Sequence, residues 1–170
     1  MNKFKNKIII ASLAIFSLVT FNSCDEGGDP NPGGTTTEKF AGDWHIIGFE
    51  PDGVTPAFGG GYNLYSTYNA SSNDENFWID DHDAFFEIKS KVQALDMTNL
   101  TFAGQVDAEE LYTGGTVTVT NGKIWKAAAE SFGGHTVDSI YFEAEFDWDP
   151  GTVYKFGGHK RTGFLEDELP

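Results

Sequence analysis

The chain has 170 residues, with 11 basic and 26 acidic side chains, 39% hydrophobic and 15% aromatic content, and one cysteine. That length argues for a single globular domain. The formal charge of -15 excludes nucleic-acid binding, which needs clustered Lys and Arg. One cysteine allows neither an intramolecular disulfide nor a Cys-based zinc site, and the chain is too aromatic to be a disordered acidic segment.

Residues 1–23 read as an export leader. Lys3, Lys5 and Lys7 precede an apolar-to-small run from Ile8 to Phe21. The run has the length of a signal-peptide core and falls short of the roughly 20 residues of a spanning helix. It ends at Phe21-Asn22-Ser23-Cys24, which resembles a lipobox, the motif in which the cysteine is acylated and becomes the new N-terminus. The alternative is a free thiol after ordinary cleavage. Residues 24–39 then form an acidic Gly/Pro/Thr tether. Its Asp/Asn spacing suggests a linker more than a calcium loop. The acidic cluster after Cys24 resembles the export signal of Bacteroidetes-type surface lipoproteins. The expected location is therefore the outer membrane of a Gram-negative bacterium, lipid-anchored, at the cell surface or on the periplasmic face.

The folded domain is expected over residues 40–165, followed by an acidic tail, 166–170. Its periodicity is mostly two, with turn signals between the runs. Predicted strands are Trp44–Glu50, Tyr62–Tyr68, Phe77–Asp80, Ala84–Leu95, Leu100–Val106, Thr116–Thr120, Lys123–Lys126, Ile140–Trp148 and Val153–Thr162. Ile140, Phe142, Ala144, Phe146 and Trp148 share one face, while Glu143, Glu145 and Asp147 share the other. Ala84–Leu95 also fits a helix face, and the β-rich surroundings decide for a strand. Asn121-Gly122 predicts a two-residue hairpin, and Asp149-Pro150-Gly151 a second turn. Ala127-Ala128-Ala129-Glu130 predicts a short helical turn. The expected fold is all-β, a single antiparallel up-and-down β-barrel of about eight strands.

Gly42-Asp43-Trp44 at the start of the first strand resembles the opening signature of the lipocalin-like, or calycin, barrels. The resemblance implies a Trp44 plug crossed by a basic side chain of the last strand, here Arg161 in Lys160-Arg161-Thr162. A wider resemblance rests on Ser66-Thr67-Tyr68-Asn69, Phe77-Trp78-Ile79-Asp80-Asp81, Val117 to Ile124 and Asp149 to Lys155. These segments look like a family of small Bacteroidetes lipoproteins described as lipid-binding putative hydrolases. That resemblance implies a lipocalin-like fold and a hydrophobic ligand, and transfers no catalytic motif.

The candidate ligand-contacting residues, taken as inward-facing, are Tyr65, Phe86, Ile88, Phe102, Trp125, Phe142, Phe146 and Tyr154. They either line a cavity or fill the interior. Asp80-Asp81-His82-Asp83 suggests acid–base or metal chemistry, but its place between strands favours a solvated acidic loop. Ser131 and His135 lie in one Gly-rich loop, which is no evidence for a triad because triads are built by geometry. No Gly-x-Ser-x-Gly elbow is present. Asp138-Ser139-Ile140 resembles a bacterial O-glycosylation motif. Three functions follow: a non-catalytic carrier of a lipid or other apolar small molecule, attached through Cys24; a hydrolase with an Asp, Glu or His site at the barrel mouth; or a solid-barrel accessory of a surface complex. No cofactor, metal or nucleic acid is expected.

Overall fold

The computed structural model describes residues 33–169, so the leader and Cys24 lie outside the described residues. Nine strands follow one another: β1 (Gly42–Phe49), β2 (Asn63–Asn69), β3 (Asn76–Asp80), β4 (Lys89–Asp96), β5 (Thr101–Gly104), β6 (Ala108–Glu109), β7 (Thr116–Glu130), β8 (Thr136–Phe146) and β9 (Val153–Lys160). Consecutive strands pair antiparallel except β5 and β6; β5 pairs instead with β7, and β9 returns to β1. Eight strands therefore close into a barrel, and β6 is a two-residue appendage on β7. The expected all-β, up-and-down architecture is the observed one. Closure leaves no long unpaired edge.

Alternation places the core. Ile140, Phe142, Ala144 and Phe146 of β8 are buried, with Glu143 and Glu145 on the opposite face. Phe142 stacks on Phe156 at 4.6 Å, and Tyr65 and Phe102 each meet Phe142 at 6.4 Å. Each such buried side chain contributes about 1.5–3 kcal/mol relative to exposure. The interior is thus filled by rings.

Three local expectations along β7 are corrected. Asn121-Gly122 is a β-bulge inside the continuous strand β7, not a hairpin, because the register with β8 slips by one residue between Thr120 and Lys123. Asn121 does adopt positive φ, 53°, as the turn signal required, but one left-handed residue makes a bulge and two are needed to reverse the chain. The extra residue also inverts the alternation. Val117, Val119, Gly122 and Ile124 point inward, and Trp125 is 40% exposed instead of facing the core. Ala127-Ala128-Ala129-Glu130 is strand with a second register shift, not a helical turn. Asp138 braces that shift by accepting from Ala127 N and Lys126 Nζ.

Because neighbouring strands alternate in direction, the loops after β1, β3, β5 and β8 gather at one end of the barrel, and those after β2, β4 and β7 at the other. The second end is closed where the chain enters. Phe40 stacks on Phe77 at 5.0 Å and meets Phe102 edge-on at 6.3 Å. The preceding Thr36 is tied to Asn73 through its N–H and hydroxyl. Trp44 is buried there, donating from Nε1 to Thr67 Oγ1 at 2.8 Å, and Thr67 donates onward to the Phe40 carbonyl.

The cation above Trp44 is Lys160, 5.8 Å from the ring, and not the expected Arg161. Lys160 is the register partner of Trp44, so its side chain lies on the same stretch of sheet. Gly42 leaves room for it, since a Cβ there would stand 3.0 Å from the Lys160 chain. Arg161 instead forks onto Glu168 at 2.7–2.8 Å. Buried Asp167 accepts from Gly133 N, Thr162 Oγ1 and His135. These contacts bind residues 165–168 to the barrel.

Candidate functional site

The other end is open, and its rim is aromatic. Phe58, Phe85 and Trp148 are 61%, 43% and 48% exposed. They surround a depression of about 530 Å³ that also includes Phe86, Glu87, Gly114 and Asp147. Ligand sites commonly span about 300–1,000 Å³, so the size suits a small ligand. Phe58 lies 5.6–6.3 Å from Phe85, Phe86, Trp148 and Tyr154. Strand β8 ends at Phe146, two residues earlier than expected, so Trp148 rises to the rim and stacks on Phe146 at 5.0 Å.

Phe86 is the floor. It contacts Phe156 at 4.7 Å, Tyr154 at 5.4 Å and Phe146 at 5.7 Å, which makes it the stopper between mouth and interior. It stands on a loop, residues 81–88, where a longer strand from Ala84 was expected. The alternation was read in the right phase, since Phe86, Ile88, Ser90, Val92 and Ala94 are all buried, but pairing with β3 begins only at Lys89.

One carboxylate shapes this loop. Asp81 is fully buried, and it accepts from the N–H groups of Ala84, Phe86 and Ile88 at 3.0–3.3 Å. Burial raises its pKa, although the three donors favour the ionised form. His82, Asp83 and Glu87 in the loop, and Phe58 across the mouth, hold positive φ of 52–60°. Such backbone is costly for side-chain-bearing residues and concentrates where a site needs it.

The acidic quartet is therefore not a solvated loop throughout, because Asp80 is buried as well. It accepts from Tyr112 Oη at 2.6 Å, Tyr68 Oη at 2.7 Å and His82 N at 2.9 Å, and pairs with Lys89 Nζ at 2.8 Å. These partners outweigh desolvation and hold its pKa well below the carboxylate range. Glu110, also buried, gathers Lys89 N, Tyr112 N, Thr113 N and Thr113 Oγ1. Three buried carboxylates thus fold the loops of the mouth by taking up N–H and O–H groups that would otherwise lack partners. Among the described residues no group of three or more His, Cys, Asp and Glu is placed to hold a metal ion.

Two serine–histidine contacts lie among the described residues. Ser66 Oγ donates to Asp43 at 2.7 Å and lies 2.8 Å from His82 Nε2. Asp43 and His82 thus share one hydroxyl, and the Asp43 carboxylate competes with His82 for its proton. Ser131 Oγ accepts from His135 N, and His135 Nδ1 meets Asp167 at 2.8 Å. The carboxylate there serves a turn. Of the eight sequence candidates, Phe86 forms the mouth floor with Phe146 and Tyr154 packed against it. Tyr65, Ile88, Phe102 and Phe142 are interior, and Trp125 is outside. Phe58, Phe85 and Trp148 are not among those candidates: Phe58 lies outside every predicted strand, Phe85 alternates out of phase with Phe86, and Trp148, on the inward face of a predicted strand, stands beyond the end of β8.

A closed antiparallel barrel, packed at its centre, shut where the chain enters and ringed by aromatics at the opposite mouth, defines a lipocalin-like binding barrel. The chain belongs to the family described as lipid-binding putative hydrolase, whose model matches residues 29–165. A comparison with curated proteins returns no match. Family and barrel together support a lipid-binding role.

Proposed function

We propose that this protein is a non-catalytic, lipid-anchored carrier that takes one apolar or amphipathic molecule at the aromatic mouth. The observation that carries this is the rim of Phe58, Phe85 and Trp148, three exposed rings around a depression floored by Phe86. Water-exposed aromatic surface of this kind is what an acyl chain covers, at about 0.8 kcal/mol per buried methylene. Because rings fill the interior, the ligand rests on Phe86 unless that stopper moves. The depression is lined by Glu87 and Asp147 and by no Lys or Arg. Long-chain alcohols and monoacylglycerols are accordingly favoured over fatty-acid anions.

The leader and Cys24 support an acyl anchor in the outer membrane. A net charge of -15 is repelled by anionic lipid surfaces, so attachment depends on the acyl chains. Thr36 and Phe40 lie at the closed end of the barrel, remote from the mouth. Native mass spectrometry of protein purified from its own envelope tests the carrier role. A copurifying lipid, displaced by monoolein and lost in Phe58→Ala, is the expected result. A ligand-free protein that also fails to take up monoolein would leave the solid-barrel accessory role. Cys24→Ser should release the protein from the membrane fraction, and continued attachment would refute the anchor.

A further inference from the structure

A second concavity lies on the outer wall of the barrel, away from the mouth. β5 stops at Gly104, and the chain turns outward over β4 before β7 begins. That strap is fixed in place, because Ser90 Oγ donates to the Glu109 carbonyl at 2.9 Å and Leu111 N donates to the Lys89 carbonyl at 3.1 Å. Between the strap and β3 runs a groove of about 420 Å³, with Ala103 and Gly104 among its small lining residues.

Its walls combine two exposed leucines, Leu95 and Leu111, with an indole and several polar side chains. Trp78 of β3 is the register partner of Lys91, whose Nζ lies 5.0 Å from the Trp78 ring and braces it. Gln93 of β4 and Gln105 of the strap line the same groove. Neither carboxamide is hydrogen-bonded to another described side chain. Lys91 and Glu109 balance in charge, an exception in so acidic a chain.

We propose that this groove binds a neutral carbohydrate, with Trp78 as the stacking platform and Gln93 and Gln105 as the hydrogen-bonding arms. An apolar chain placed here would cover Leu95 and Leu111, but it would also desolvate two carboxamides, an ammonium and a carboxylate without replacing their hydrogen bonds. An anion would meet one cation already offset by Glu109. A sugar ring offers a C–H face to the indole, and hydroxyls that donate and accept as carboxamides do. The site is separate from the mouth, so each can fail without the other.

The test is a titration of the purified protein with cellobiose, maltose and N,N′-diacetylchitobiose, followed by two-dimensional NMR. Saturable shifts of the Trp78 indole N–H and the Gln93 and Gln105 side-chain amides are expected with at least one of them. Affinity should fall about tenfold or more in Trp78→Ala and stay unchanged in Trp125→Ala, which removes an exposed indole of β7. Gln105→Ala, in the strap outside the barrel core, should weaken binding with the spectrum otherwise intact. Three sugars without saturable shifts, shifts centred on Trp125 or Trp148, or binding that survives Trp78→Ala would each overturn the proposal.

Discussion

Phe86 lies against the bare backbone of Gly48: a Cβ built on that glycine would stand 2.5 Å from Phe86 Cε2. The stopper of the mouth therefore depends on a hole left in β1. Gly48→Ala should force the ring upward and cost about 1–3 kcal/mol in chemical denaturation, as overpacking does. Phe86→Ala should cost more, about 3–5 kcal/mol, by leaving a void. It should also open the interior to the mouth, so that affinity for alkyl alcohols rises more steeply with chain length. An unchanged chain-length dependence, measured by calorimetry on both proteins, would mean that Phe86 does not limit ligand depth.

Asp81 holds the loop that carries Phe86, through three N–H groups on two carboxylate oxygens. Asn offers one acceptor oxygen and adds two donors to a buried site, so Asp81→Asn should leave at least one amide without a partner. The expected loss is about 1–3 kcal/mol. Hydrogen exchange should accelerate at Ala84, Phe86 and Ile88 and remain slow in β8. Uniform acceleration across the barrel would assign Asp81 to global stability instead of the loop.

The strands were legible in the sequence because burial on one face writes itself as alternation, most clearly from Ile140 to Phe146. What could not be read was where that alternation loses a beat. Asn121-Gly122 carries the composition of a hairpin, and the decision between turn and bulge lies in what packs on it. Phe102 crosses from β5 so closely that a Cβ on Gly122 would overlap its ring, 2.2 Å from Cδ2. Within β7 the residues after it change face, which is why Trp125, expected inward, lies outside. Asp80 and Asp81 were misread for a related reason. Asp80 is buried against tyrosines distant along the chain and Asp81 against the amides of a loop folded back on it, and local composition shows only charge. The same blindness exchanged Lys160 for Arg161, since the choice turns on a one-residue register between β1 and β9.

Gly122→Ala follows directly from that packing. The methyl group has no space unless Phe102 leaves its contacts with Phe40, Phe77 and Phe142. A loss of about 1–3 kcal/mol or more is expected, measured as a lower denaturation midpoint with an unchanged slope. Asn121→Gly, at a positive-φ position on the exposed face, should by contrast be nearly neutral. Equal losses in the two variants would argue that backbone strain, and not the Phe102 contact, sets the requirement for glycine.

The last prediction concerns acid. His45 and His159 face each other across β1 and β9 with ring centroids 5.4 Å apart, both buried under Phe132 and with Tyr62 against His159. Burial lowers both pKa values. Arg161 adds to the lowering at His45, and His45 adds to it at His159, while Glu168 and Asp167 oppose it only in part. With the folded values below the ordinary value of about 6.5, the unfolded chain protonates first. Stability is then complete above about pH 6.5 and declines as the pH falls below it. Asp80, Glu110 and Asp167, whose pKa values are lowered, remain ionised here and act only at lower pH. Asp81, whose pKa is raised, works in the opposite direction but does so equally in any variant that leaves it alone. His159→Phe should therefore flatten the fall in melting temperature between about pH 7 and about pH 5 relative to the parent protein. Parallel pH profiles for the two proteins would place the acid sensitivity outside the histidine pair.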